Sequence, residues 1–343
     1  NLAESSVSDQ CMGELNLDLH RLVLCYGNHV GQLELRERIA ADAGPGVSPD
    51  DVLVTAGAAA ALFIVATSLL ERGDRLVVAR PNYATNLETP RAIGAEIAVL
   101  EQRFEERWRL DLDRLEGLVT PATRLVSLTS PHNPTGQVIP EADLERALAA
   151  AERAGAPLLL DETYRDLTFG ATRPVLAAKS PRAISVSSLS KAFGLPGIRI
   201  GWIVCRDRAL METFLAAKEQ IQICNSVVDE ELAARALAER GPRLERIRAH
   251  VHGNFHATRA FLAYEKRLEW VEPEGGVVGF PRLVDGLDPE RFYASLARDR
   301  AMVGPGHWFE MPRRYFRLGF GWPRPEQLTS GLESLSRALD AAS

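Results

Sequence analysis

The residue that most constrains this chain is a lysine in the stretch Ser187-Ser188-Leu189-Ser190-Lys191-Ala192-Phe193-Gly194-Leu195-Pro196-Gly197-Ile198-Arg199-Ile200-Gly201. The apolar run Ala183 to Val186 leads into it, so Lys191 falls where a buried strand ends. A lysine near the interior is disfavoured as a cation. Its pKa drops, and a neutral amine is a good nucleophile toward carbonyl carbon. Ser188 and Ser190 just before it and Arg199 eight positions after it supply groups for one phosphate. Gly194, Pro196 and Gly197 let the backbone turn closely around that phosphate. A phosphorylated aldehyde satisfies both halves, and pyridoxal 5'-phosphate is such a molecule. Taken alone, Ser-x-Ser-Lys equally describes a surface lysine in a Ser/Gly loop, so the rest of the chain has to decide.

Residues 1–19, rich in Ser, Asp and Asn without a strong period, read as an arm. Tyr26-Gly27-Asn28-His29-Val30-Gly31 precedes an amphipathic helix from Leu33. From Asp51 to Cys205 apolar strand-like runs alternate with helical stretches, which predicts a mostly parallel sheet with helices on both faces. Chemistry-bearing residues follow these runs. Gly57, Ala58 and Ala59 follow the run ending at Thr55, at a helix N-terminus whose free amides and dipole attract an anion. Tyr83 follows Arg75–Ala79, and Ser130-Pro131-His132-Asn133-Pro134-Thr135-Gly136 follows Arg124–Thr129. Asp161 and Tyr164 follow Pro157-Leu158-Leu159-Leu160; a carboxylate there is costly unless paired or used as a helix cap. Open α/β sheets bind ligands at such strand ends. Long helices follow Cys205, and from about residue 240 a smaller α+β region carries Pro273–Phe280, Val303–Phe309 and Phe316-Arg317-Leu318-Gly319-Phe320.

The lysine stretch, Tyr-Gly-x-x-x-Gly followed by Leu-Arg, Asn-Pro-Thr-Gly, Asp-x-x-Tyr and Arg-x-x-Phe occur here in one order. That order resembles the class I/II aminotransferases, fold-type I enzymes dependent on pyridoxal 5'-phosphate. The resemblance implies a Schiff base on Lys191, which also shuttles the proton, and a phosphate held by Ser188, Ser190, Arg199 and the turn Gly57-Ala58-Ala59. It implies that Tyr83 stacks on the ring, that Asp161 pairs with the pyridine nitrogen, and that Asn133 and Tyr164 hydrogen-bond the 3'-oxygen. Arg317, with Asn133, would bind the substrate, its planar fork gripping the α-carboxylate. Tyr26 would reach the phosphate of a neighbouring subunit, implying a homodimer. On the residues alone, Tyr26 and Tyr83 also fit ordinary packed or turn-flanking aromatics, and Arg317 a strand-edge arginine.

The implied layout is an arm over 1–29 contributing to the small domain and substrate site, a large cofactor-binding domain over 30–238, and a small C-terminal domain over 239–343. Glu4-Ser5-Ser6-Val7, Gly13-Glu14-Leu15, Gly276–Arg282 and Arg317–Phe320 through Glu326 are similar to the capreomycidine synthase subgroup. Its members eliminate and cyclise on a hydroxylated arginine instead of transaminating. Transamination of an L-amino acid, with a keto acid as acceptor, is the first expectation, and elimination with cyclisation the second. A binding domain without turnover fits less well, since a binder has no use for a proton shuttle.

With a net charge of -6 and a pI near 5.8, neither nucleic acid nor an anionic membrane is expected as a partner. No apolar run approaches the roughly 18 residues of a spanning helix, and no signal segment is visible. Cys11, Cys25, Cys205 and Cys224 are scattered, which favours free thiols in the cytoplasm over a disulfide framework or a metal site. There is no GxGxxG after a strand, no GxxxxGK[ST] and no HExxH.

Overall fold

In the computed structural model, which describes residues 1–343, the apolar runs become strands and the stretches between them mostly helices. Helix α1 (Leu33–Ala43) precedes β1 (Val52–Thr55). Then come α2 (Gly57–Leu69), β2 (Arg75–Arg80), α3 (Thr85–Ile93), β3 (Glu96–Glu101), α4 (Leu112–Leu118), β4 (Thr123–Thr129), α5 (Glu141–Arg153), β5 (Leu158–Asp161), β6 (Ala183–Ser188) and β7 (Gly201–Cys205). Three helices follow: α6 (Arg208–Ile221), α7 (Val227–Ala238) and α8 (Arg240–Tyr264). The last part holds β8 (Leu268–Glu269), β9 (Val278–Gly279), β10 (Arg282–Leu283), α9 (Pro289–Arg298), β11 (Gly304–Pro305), β12 (Phe316–Gly319) and α10 (Pro325–Ala342).

Seven strands form one sheet in the order β1-β7-β6-β5-β4-β2-β3. Alternate residues of a strand feed opposite faces. Leu159 packs with Leu62, Val65 and Phe214 of α2 and α6, while Leu158 and Leu160 pack with Ala147, Leu148 and Ala151 of α5. Both faces are thereby covered, as a parallel sheet requires. Pairs from β3 through β6 are parallel, but β7 runs antiparallel to both β1 and β6. The physical reason lies in residues 189–200, which contain a single 3-10 turn and no α-helix. With no helix to lay across the sheet face, the chain curls around Lys191 and returns beside β6.

Helix α8 ties the two parts together: Val251 and Phe255 enter the core under the large sheet, and Leu262 enters the core of the C-terminal part. The latter core is built on α9, α10 and the small sheet β11-β12-β9. The N-terminal arm also joins them. Leu2 exchanges backbone bonds with Met302 and Gly319, while Val7 and Gln10 donate to the carbonyls of Lys191 and Gly194. No helix is long and apolar enough to cross a membrane.

Candidate active site

At the C-terminal edge of the sheet lies a cavity of about 250 Å³. Lys191 reaches it from the β6–β7 link and Asp161 from the last position of β5. The Lys191 amine donates to Ser5 Oγ at 3.1 Å and stands 4.0 Å from Glu4 Oε1. Burial lowers its pKa from the ordinary lysine value, opposed by the charge of Glu4. Asp161 is only 7% exposed. Its Oδ1 accepts from the Thr163 amide at 3.0 Å and hydroxyl at 2.6 Å, while no protein group hydrogen-bonds Oδ2. Burial raises its pKa, and the two Thr163 bonds pull it back.

At the other end of the cavity, Ala58 and Ala59 present the first turn of α2, whose N-terminus has no side-chain cap. Gly57 opens that turn at φ +81°, and a Cβ there would lie 2.5 Å from Arg199 Nη2. A Cβ on Gly201 would lie 2.6 Å from the Ala58 nitrogen. Both glycines are thus needed for β7, α2 and Arg199 to close together. Arg199 Nη1 donates to Pro196 O at 2.8 Å and to Ser190 Oγ at 3.4 Å, with the Ser188 hydroxyl alongside in the same wall. Uncapped amides, two hydroxyls and a guanidinium make an oxyanion site.

Between these ends stand Tyr83, Asn133 and Tyr164, and Arg317 of β12 meets Asn133 from the C-terminal part. Arg317 is 8% exposed. It donates to Asn133 Oδ1 at 3.1 Å and to the Ala3 carbonyl at 2.7 Å, leaving its Nε without a partner. Tyr164 Oη donates to the Ser5 carbonyl at 2.7 Å, and burial pushes its pKa up to about 12. The two groups expected side by side on a 3'-oxygen are therefore engaged separately, Tyr164 by the arm and Asn133 by Arg317. Tyr26 lies outside the cavity and is 79% exposed.

Sequence reasoning missed the arm carbonyls of Ala3 and Ser5, and Thr163. Backbone oxygens carry no residue code. The Asp-x-Thr spacing, by contrast, is a signal: an Asx-type turn returns the Thr163 amide and hydroxyl to the carboxylate two residues back.

These residues fit pyridoxal 5'-phosphate. A buried carboxylate has one oxygen unpartnered, an amine faces it across the cavity, and an oxyanion cradle closed by two glycines lies beyond. The set can bind a phosphate, hold a cationic ring nitrogen, and present an amine as nucleophile or base.

Comparison with known proteins agrees. The family model for aminotransferase class I and II matches residues 8–335. Capreomycidine synthase of Streptomyces vinaceus is 32% identical over 357 aligned positions, covering 99% of this chain and 89% of that protein. Arginine–pyruvate transaminase of Pseudomonas aeruginosa is 31% identical, covering 74% of this chain and 66% of that protein. Among solved structures, a PLP-dependent aminotransferase from Streptococcus suis superposes with a TM-score of 0.92 at 29% identity, covering 100% of this chain and 93% of that one.

Proposed function

The chain belongs to the aminotransferase class I and II family, and we propose that it transfers the amino group of an L-amino acid to a keto acid through Lys191. It is a pyridoxal 5'-phosphate enzyme. When bound, the cofactor supplies an aldehyde carbon that joins an amine and a ring that draws electrons away from Cα. The observation that carries the proposal is the half-buried Lys191 amine across one cavity from the buried, half-unpartnered Asp161 carboxylate.

In this reading Ser188, Ser190, Arg199 and the amides of Ala58 and Ala59, reached through Gly57, hold the phosphate. Asp161, fixed by Thr163, keeps a proton on the ring nitrogen, and Tyr83 covers the ring face. Asn133 and Tyr164 orient the ring oxygen, and Arg317 grips the substrate α-carboxylate with its planar fork. Lys191 Nζ would take the proton from Cα and deliver it to the cofactor's C4', a task suited to an amine whose pKa burial has lowered.

The arm, large domain and small domain divide at residues 29 and 238 in this reading. The working unit is a homodimer. Tyr26, Val23 and Leu24 stand exposed, as do Ile221 and Ile223. Lys218 donates to the His29 carbonyl and the His29 ring pairs with Glu219, which brings the two segments side by side, and we take their exposed apolar groups as the patch the dimer buries. Tyr26 would work across that patch on the partner's phosphate. The cytoplasm suits four cysteines that stand apart as thiols.

A second reading is elimination and cyclisation on a hydroxylated arginine, favoured by the similarity to capreomycidine synthase along nearly the whole chain. Product formation that needs no keto acid acceptor would select it.

The test is the Lys191→Ala variant. Borohydride treatment of the loaded wild type should add the mass of the cofactor to the peptide bearing Lys191, and the variant should show neither label nor turnover. A labelled or active variant would refute the assignment.

A further inference from the structure

The proposed function leaves one charged group at the site without a task. Arg199 is taken by the phosphate, Arg317 by the α-carboxylate, Asp161 by the ring nitrogen, and Lys191 by the aldehyde. The carboxylates whose charges reach Lys191 are Asp161 and Glu4. Glu4 also acts on Tyr164 and Arg317, and its neighbour Ser5 lines the cavity, so Glu4 stands beside the space between them.

Its position is built into the fold. The Glu4 carbonyl rests against Gly319 so closely that a Cβ at 319 would overlap it. The carbonyls on either side, of Ala3 and Ser5, are bonded to Arg317 and Tyr164. Within the arm, Glu4 Oε1 accepts from the Ser5 amide at 3.1 Å and the Ser6 hydroxyl at 3.3 Å. No protein group hydrogen-bonds Oε2, and the nearest cation, Lys191, stands beyond hydrogen-bond distance at 4.0 Å. A carboxylate held by one oxygen, with the other free beside a substrate site, is a receptor for a cation.

We propose that Glu4 selects the substrate side chain, receiving the guanidinium or ammonium end of a basic L-amino acid and turning dicarboxylic amino acids away. The inference rests on the function proposed above and applies to both of its readings. A guanidinium suits such a carboxylate best, since it offers paired N–H donors in a fixed fork. A second substrate carboxylate in the same place meets like charge and loses binding.

The test titrates the cofactor-loaded enzyme with L-arginine, L-lysine, L-norleucine and L-glutamate, following the absorbance of the bound cofactor, and repeats the series on Glu4→Gln and Glu4→Lys. A hydrogen bond to a charged group is worth about tenfold to a hundredfold in affinity. Wild type should therefore favour L-arginine over L-norleucine by at least about tenfold. Glu4→Gln should bring that ratio close to one, and Glu4→Lys should move the preference toward L-glutamate. A wild type that does not discriminate L-arginine from L-norleucine overturns the inference while leaving the aminotransferase reading intact. So does a Glu4→Gln variant that loses affinity for all four in parallel, which would mean that Glu4 acts on Lys191 or the arm. No response to any amino acid defeats the proposed function, and the inference falls with it.

Discussion

Glu162 offers a quantitative test of how the floor of the site is built. It follows Asp161 at the end of β5, is buried, and accepts from the Leu176 amide at 3.1 Å. Burial raises its pKa from 4.5 to about 7, with Asp161 adding to the rise and Arg165 opposing it. Between those two values the native chain holds a proton on Glu162 that the unfolded chain has released. Stability therefore falls with rising pH across that window, by about 1.36 kcal/mol per pH unit, or about 3 kcal/mol in all. Below pH 4.5 both states carry the proton, and above pH 7 neither does, so the loss is confined to the window.

Glu162→Gln removes this dependence while keeping an acceptor for Leu176. An unfolding entropy of about 2.1 cal/mol/K per residue makes about 0.7 kcal/mol/K for 343 residues, so about 3 kcal/mol converts to about 4 °C. In calorimetry of the cofactor-loaded enzyme, the variant's melting temperature minus that of wild type should rise by about 4 °C from pH 5 to pH 8. A difference that stays flat, or falls with pH, would refute the reasoning, because it would mean that Glu162 is ionised in the native state throughout.

Gly319→Ala should dislodge the arm, because the new methyl overlaps the Glu4 carbonyl and weakens the bond from the Gly319 amide to Leu2 O. Overpacking of this kind costs about 1–3 kcal/mol, so melting temperature and amino acid affinity should fall together, and wild-type values for both would refute it. Sedimentation of the wild type should give a dimer of 37.7 kDa chains. Ile223→Asp, within the exposed patch, should yield inactive monomers; an active monomer would refute a shared site.

The sheet and most of the candidate site were legible in the sequence for one physical reason. Most chemistry-bearing side chains stand at or just after the end of an apolar run, where a strand has to end and a ligand can approach; Arg317, inside β12, does not. Asp161 after Leu158-Leu159-Leu160 and Lys191 after Ala183–Ser188 are both of this kind. The reversal of β7 was not read from the sequence: alternation of strand and helix suggests the parallel direction, and residues 189–200 fold without the α-helix a crossover would use.

What stayed hidden works through the backbone. The arm has neither strand nor helix before Met12, yet the carbonyls of Ala3 and Ser5 fix Arg317 and Tyr164, and the Glu4 carbonyl sits against Gly319. A carbonyl oxygen is the same on any residue, so the sequence marks such contacts only at the receiving end, as a glycine that tolerates no Cβ. Gly319 therefore tells more about the arm than the arm's own residues do. Arg317 and Tyr164 in turn are set by chain roughly 314 and 159 residues away in sequence. In the proposed function, the substrate end of the site is built by both ends of the chain, where the arm lies against β12, and it is there that relatives sharing the same cofactor residues can diverge in what they bind.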